Sequence, residues 1–251
     1  MRHGSRQFRC VLRAALAGLA LLLAPALIAG CEGGPSGHAQ AAPTATPSPV
    51  VATGTAAPRL TYVAIGASDA YGVGTTDPAH DNWPGVLART LGPSVRLVNL
   101  GIPGATVELA ARDELPVAIQ TQPQLVTIFL GINDLEQGDS TDAFAAGLRG
   151  LLAALRVRTA ARIYLANLPD LALLPYFGNR DGNALHQQVV AWNAVIASAA
   201  RANDAVLVDL YDGWSQLQQN PQYISADGLH PSTVGAQAIA HVFAEAIAAS
   251  P

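Results

Sequence analysis

From Arg59 onward, apolar residues gather in five short runs rich in β-branched side chains, separated by longer stretches of helical period. The runs are Leu60–Ile65, Val95–Leu100, Leu125–Leu130, Arg162–Asn167 and Ala205–Leu210. They lack the strict apolar–polar alternation of a half-exposed strand, so they read as strands buried on both faces. Strands alternating with helices predict an α/β fold, a parallel five-stranded sheet between two helical layers. Phe144, Leu148, Leu151, Leu152 and Leu155 fall on one stripe of a helix that Ser140 to Asp142 can cap. Leu185, Val189, Trp192 and Ile196 make a second stripe. A last helix is expected from about Ser232, with Pro231 in its first turn and Val234, Ile239, Val242 and Phe243 on its apolar side.

Before Arg59 the pattern changes. Arg2, Arg6, Arg9 and Arg13 make a cationic start, and Val11 to Ile28 is apolar apart from Arg13, so residues 1–30 read as an export signal. The run is short for a spanning helix, although a membrane anchor is the competing reading. Leu27-Ile28-Ala29-Gly30-Cys31 places small residues just before a cysteine and resembles the lipobox of bacterial lipoproteins. That resemblance implies cleavage before Cys31, diacylglycerol on its sulfur and a membrane partner reached through the lipid. Residues 31–58 are rich in Pro, Ala and Thr with almost no large apolar residue, so they read as a disordered tether to a domain spanning 59–251.

Composition removes several functions. Only 13% of residues are charged and the formal net charge is −4, which leaves no broad cationic face for nucleic acid. All 14 basic residues are Arg, which excludes Schiff-base chemistry, a Ser-Lys dyad and the lysine of a phosphate-binding loop. Four of those Arg precede Cys31 while all 18 acids follow it, so a chain cut there would be strongly acidic and suited to neutral or weakly charged substrates. Cys10 would leave with the signal and Cys31 would carry lipid, so no disulfide is expected. Neither Cys-x-x-Cys nor His-Glu-x-x-His occurs, and no metal or other cofactor is expected.

In open parallel sheets, ligands bind beyond the carboxyl ends of the strands, where loops and helix N-termini converge. After the first strand comes Gly66-Ala67-Ser68-Asp69, with a serine on a tight strand-to-helix turn; alone it reads equally as an N-cap. After the second comes Gly101-Ile102-Pro103-Gly104, where Gly104 lets a backbone N–H approach a ligand closely or simply makes a turn. After the third comes Gly131-Ile132-Asn133-Asp134, offering a side-chain amide as a donor, though Asn-Asp after a strand is commonly a turn. Near the C-terminus, Asp227-Gly228-Leu229-His230-Pro231 sets a carboxylate three residues before an imidazole. In a loop that spacing lets the carboxylate take the Nδ1–H of the ring and leave Nε2 free as a base.

In order and spacing these four segments resemble the SGNH or GDSL family of hydrolases, over essentially the whole stretch from Thr61 to Ala249. The resemblance implies a flavodoxin-like three-layer α/β/α fold and a catalytic triad of Ser68, Asp227 and His230. It also implies an oxyanion hole from Gly104, Asn133 and the Ser68 amide, with a small-molecule or lipid ester as substrate. Where the family usually has Gly-Asp-Ser, this chain has Gly66-Ala67-Ser68, and Asp69 is the nearest acid to take the missing carboxylate's place.

Other polar residues read as structural. His80, His186 and His241 show no carboxylate at a useful spacing, and Asp209 and Asp212 read as turn or capping residues, Asp209 being a weak rival for the triad acid. The apolar connection Asp170–Gly182, with Leu171, Leu173, Leu174, Tyr176 and Phe177, can wall an acyl pocket or plug the core. The segment Tyr71–Trp83 is a second candidate rim.

Overall fold

The computed structural model describes residues 60–214 and 220–250; the stretch read as an export signal, Cys31 and the Pro/Ala/Thr-rich stretch lie outside them. The apolar runs form β1 (Leu60–Gly66), β2 (Val95–Asn99), β3 (Leu125–Phe129), β4 (Arg162–Ala166) and β5 (Val206–Val208). All pair in parallel, in the order β2-β1-β3-β4-β5. The chain steps outward from β1 to β2 and returns to β3 on the other side, which opens a crevice at the carboxyl ends of β1 and β3. Gly66 stands opposite Phe129 in register, so the two loops that follow leave the sheet side by side.

Burial on both faces holds for the centre of the sheet and fails at its edges. Every residue of β3 and all but the first of β1 are buried, whereas β2 and β5 are partly open and Leu207 is 37% exposed. An edge strand has one strand neighbour, and the helical layers cover it less completely. The fifth strand is also shorter than the apolar run suggests. Asp209 accepts the amides of Tyr211 and Asp212 and so starts the helix α9 (Leu210–Trp214) directly after Val208.

On one face lie α1 (Ser68–Tyr71), α2 (Pro78–Asp81), α3 (Trp83–Leu91) and α10 (Thr233–Ala249). Trp83 stacks on Phe243 at 4.6 Å between ring centres and joins α3 to α10. On the other face, α4 (Val107–Leu109) runs through a five-residue π-helical turn, Ala110–Glu114, into α5 (Leu115–Thr121). Beside them lie α7 (Thr141–Arg158) and α8 (Gly182–Ala202), joined by Phe144 and Trp192 with ring centres 4.4 Å apart. The short α6 (Ile132–Gln137) sits over the end of β3. Both apolar stripes expected for α7 and α8 are buried, each large side chain contributing about 1.5–3 kcal/mol relative to exposure. Ser140 caps α7 by accepting the Ala143 amide.

The last helix differs in detail. Ser232 is its cap, accepting the Gly235 amide, so Pro231 lies before the cap and outside the first turn. Val234 is 45% exposed, because the first turn of α10 packs through Gly235 and Ala236 instead. A Cβ at Gly235 would overlap the Tyr223 carbonyl, so glycine is what allows that approach. Among the described residues, no helix is long and apolar enough to cross a membrane.

Candidate active site

Ser68 is the first residue of α1, placed where β1 ends. A Cβ on Gly66 would come within 2.7 Å of the Ala70 side chain, so the strand can turn this sharply into the helix only with glycine there. Gly72, at φ +104°, stops α1 after one turn, and the amides of Gly72 and Val73 both donate to the Ser68 carbonyl.

His230 is presented by a loop tied across its base. Ile224 pairs with Pro231, the Ser225 amide donates to the His230 carbonyl at 2.8 Å, and Gly228 turns the chain at φ +77°. Inside the loop, Oδ1 of Asp227 accepts the amides of Leu229 and His230 and the Ser225 hydroxyl. Its Oδ2 lies 2.6 Å from Nδ1 of His230. Desolvation raises the Asp227 pKa, but the amides of Leu229 and His230, the ring and the Ser225 hydroxyl outweigh it and hold the carboxyl well below the usual range. With Nδ1–H donating to this carboxylate, Nε2 faces Ser68 Oγ at 2.9 Å and accepts from the hydroxyl. Behind the ring, a Cβ on Gly74 would stand 2.8 Å from that of His230, so the segment from Tyr71 backs the imidazole closely.

Asn133 and Asp134 tie the loop after β3 to the loop after β2. The Asn133 side-chain amide donates to the Ala105 carbonyl at 2.9 Å, and Asp134 Oδ1 accepts the Val107 amide at 2.9 Å. Burial raises the Asp134 carboxyl to about 6 despite the Val107 amide. Gly104 adjoins Ala105, has φ +81° and is exposed, with open space where a side chain would be. Ser68, Asn133 and His230 line one pocket, and Gly104 stands outside that lining. Its far wall is apolar and includes Phe129, Leu130, Pro169, Leu174, Leu210 and Ile239.

The Asp170–Gly182 connection contributes both to the core and to the pocket wall. Leu171, Leu174 and Phe177 are buried in the core, and Leu174 also faces the pocket. Tyr176 is 49% exposed and bridges two sides of the site: its amide donates to the Gly228 carbonyl and its hydroxyl to Glu136 at 2.5 Å. No sequence spacing announces that bond, since 40 positions separate its partners. In the Tyr71–Trp83 segment, Tyr71 is exposed but Trp83 is fully buried, donating its indole N–H to Asp69 at 2.8 Å. Asp69 therefore bonds toward α3, and desolvation lifts its pKa to about 6.

The three other histidines among the described residues are paired after all. His80 meets Asp77 and His241 meets Glu245, spacings of three and four that one helical turn brings together. His186 meets Asp170 at 2.8 Å, a contact made only by folding. Asp209 accepts from Asn167 and from the amides of Tyr211 and Asp212 in α9, which makes it a cap, while Nδ1 of His230 meets Asp227. Among the described residues no group of three or more His, Cys, Asp and Glu is placed to hold a metal.

The chain is 26% identical over 162 residues to an acetylxylan esterase of Geobacillus stearothermophilus, covering 59% of this chain and 70% of that one. In fold it is similar to an α/β hydrolase from the metagenome of Lake Arreo, Spain, at TM-score 0.63 and 21% identity over 76% of this chain and 96% of that one. It is likewise similar to a lipase/acylhydrolase from Enterococcus faecalis, at TM-score 0.62 and 21% identity over 75% and 95% of the two chains. Residues 64–238 match the model of the GDSL-like lipase/acylhydrolase family, and with that match the chain belongs to this family and is an ester hydrolase.

Proposed function

We propose that the enzyme hydrolyses carboxylic esters through an acyl-enzyme on Ser68. The observation that carries this reading is the continuous contact from Asp227 Oδ2 through the His230 ring to Ser68 Oγ, at 2.6 and 2.9 Å. As Oγ attacks the ester carbonyl, Nε2 takes its proton and Asp227 stabilises the imidazolium. The proton then passes to the departing alcohol oxygen, and water, activated by the same nitrogen, cleaves the acyl-enzyme. The Ser68 amide, the second hydrogen of the Asn133 amide and the Gly104 amide are assigned to the oxyanion. The test is Ser68→Ala: ester turnover and labelling by a fluorophosphonate should both vanish, and retention of either would refute the assignment.

The apolar far wall favours an ester with an acyl chain that enters beside Leu174 and Leu210. A second reading, removal of O-acetyl groups from carbohydrate, is supported by the similarity to an acetylxylan esterase. Nitrophenyl esters of increasing chain length separate the two, because a deacetylase would take acetate far faster than any longer chain.

For the N-terminus we propose export, cleavage after residue 30, lipidation of Cys31 and display at the outer face of a bacterial membrane on the tether 31–58, ahead of the hydrolase domain 59–251. The support is the order of charge, apolar run, small residues and cysteine. Metabolic labelling with a radioactive fatty acid should be lost in Cys31→Ala; labelling that persists would refute the anchor.

A further inference from the structure

The loop that carries Ser68 begins where β3 still pairs with β1 but β2 no longer does. The pairing of β1 with β2 ends at Ala64 opposite Asn99, two residues before Gly66. Beyond that point the Gly66 carbonyl still accepts from the Ile102 amide, but its N–H takes a different partner. It donates at 2.9 Å to Oε2 of Glu114, a side chain 48 positions away and only 1% exposed. The other oxygen, Oε1, is buried and has no hydrogen-bond partner among the described residues.

Glu114 reaches this place from the π-helical turn Ala110–Glu114, whose extra residue interrupts the α-helical path between α4 and α5. Such turns are uncommon and are frequent at functional sites. An acid is an expensive choice for a buried position, and Glu114 is at 1% the least exposed of the buried acids Asp69, Glu114 and Asp134. Nor can the residue beside the nucleophile do the same work, because Ala67 offers only a methyl group. Asp69 is engaged by Trp83.

We infer that Glu114 is a positioning residue for Ser68, its carboxyl replacing the missing ladder bond at Gly66 and so fixing the turn that aims Oγ at His230. The inference rests on the proposed role of Ser68. Desolvation raises the Glu114 pKa to about 8; the Gly66 amide opposes that shift, and Asp69 and Asp113 reinforce it. At neutral pH the group is therefore mostly an uncharged acid, and a glutamine can imitate it.

The test compares three variants of the full chain with the unaltered enzyme. Glu114→Gln keeps an acceptor for Gly66 and should retain at least about a third of kcat. Glu114→Leu keeps the volume without the acceptor, and Glu114→Asp keeps the acid but falls short by one methylene. Both should lower kcat and the rate of fluorophosphonate labelling in parallel, on the order of 10- to 100-fold, with KM within about threefold, for a distortion of geometry rather than of binding. Exchange of the Gly66 amide proton should speed up in the same two variants. If either folds, by circular dichroism, and keeps full kcat with a merely lowered melting temperature, the residue is only structural and the inference fails. If Glu114→Leu does not fold, Glu114→Asp decides alone. An unaltered enzyme that neither turns over esters nor labels would instead refute the role of Ser68 itself.

Discussion

Nε2 of His230 and Oγ of Ser68 stand 2.9 Å apart, although 162 positions of chain lie between the two residues. The parallel sheet makes that possible, because every strand delivers its following loop to the same edge. Ser68 follows β1, which lies between β2 and β3, and His230 sits on the loop that leads into α10, whose packing on α3 returns it to that strand's end.

The first prediction concerns which nitrogen of His230 carries the proton. In Asp227→Asn, Oδ2 is replaceable by an NH2 that would face Nδ1 and favour the tautomer with hydrogen on Nε2, which cannot accept from Ser68. Turnover should fall by about a thousandfold or more while the fold persists. Steady-state kinetics with a nitrophenyl ester, beside circular dichroism, checks this. A variant within tenfold of the unaltered enzyme would show that the carboxylate does not orient the ring.

Asn133 is the second. Its amide spends one hydrogen on Ala105 and has another to give. Asn133→Ala should reduce kcat on the order of a hundred- to a thousandfold, or ~3–4 kcal/mol in the barrier, with little change in KM, because an oxyanion donor acts only in the transition state. A loss confined to KM would place the amide in substrate binding instead.

How much of this was legible in the chain varies with the reach of each interaction. The five strands and their parallel pairing follow from local apolar runs, and the loop from Ser225 to Pro231 follows from spacing within a few residues. The openness of the sheet's edges leaves no mark in the sequence, because apolar composition does not reveal which strand lacks a neighbour; Val206-Leu207-Val208 looks as interior as Ile163-Tyr164-Leu165. Pairs such as Asp170 with His186, Glu136 with Tyr176 and Glu114 with Gly66 leave no periodic trace, since tertiary packing alone creates them. The pairing of His80 with Asp77 was within reach, because it repeats the three-residue spacing of Asp227 and His230.

Leu174 provides the third prediction. It is 3% exposed, yet it faces the pocket that Ser68 and His230 share, so shortening it enlarges the cavity rather than leaving a sealed void. Leu174→Ala should shift the chain-length optimum on nitrophenyl esters upward while costing about 2–5 kcal/mol in stability, at the lower end if substrate or water fills the gap. An unchanged profile would move the acyl chain to another part of the site.

The last prediction uses Glu114 and concerns stability alone. Its carboxyl titrates near 4.5 in an unfolded chain and at about 8 in the folded protein, where burial is the main cause. Below about pH 4.5 both states hold the proton, and the stability linked to it is fully present. Between these values the unfolded chain releases a proton that the folded protein retains, so rising pH favours unfolding by up to ~1.4 kcal/mol per pH unit. Glu114→Gln cannot titrate. Its stability relative to the unaltered enzyme should therefore improve steadily from pH 5 to 8, read as the difference in urea midpoints at matched pH. Asp69 and Asp134, both raised to about 6, titrate in either protein and cancel in that difference. A difference that stays flat across the range would mean that Glu114 is already ionised in the folded enzyme, its charge met by groups that this arrangement does not supply.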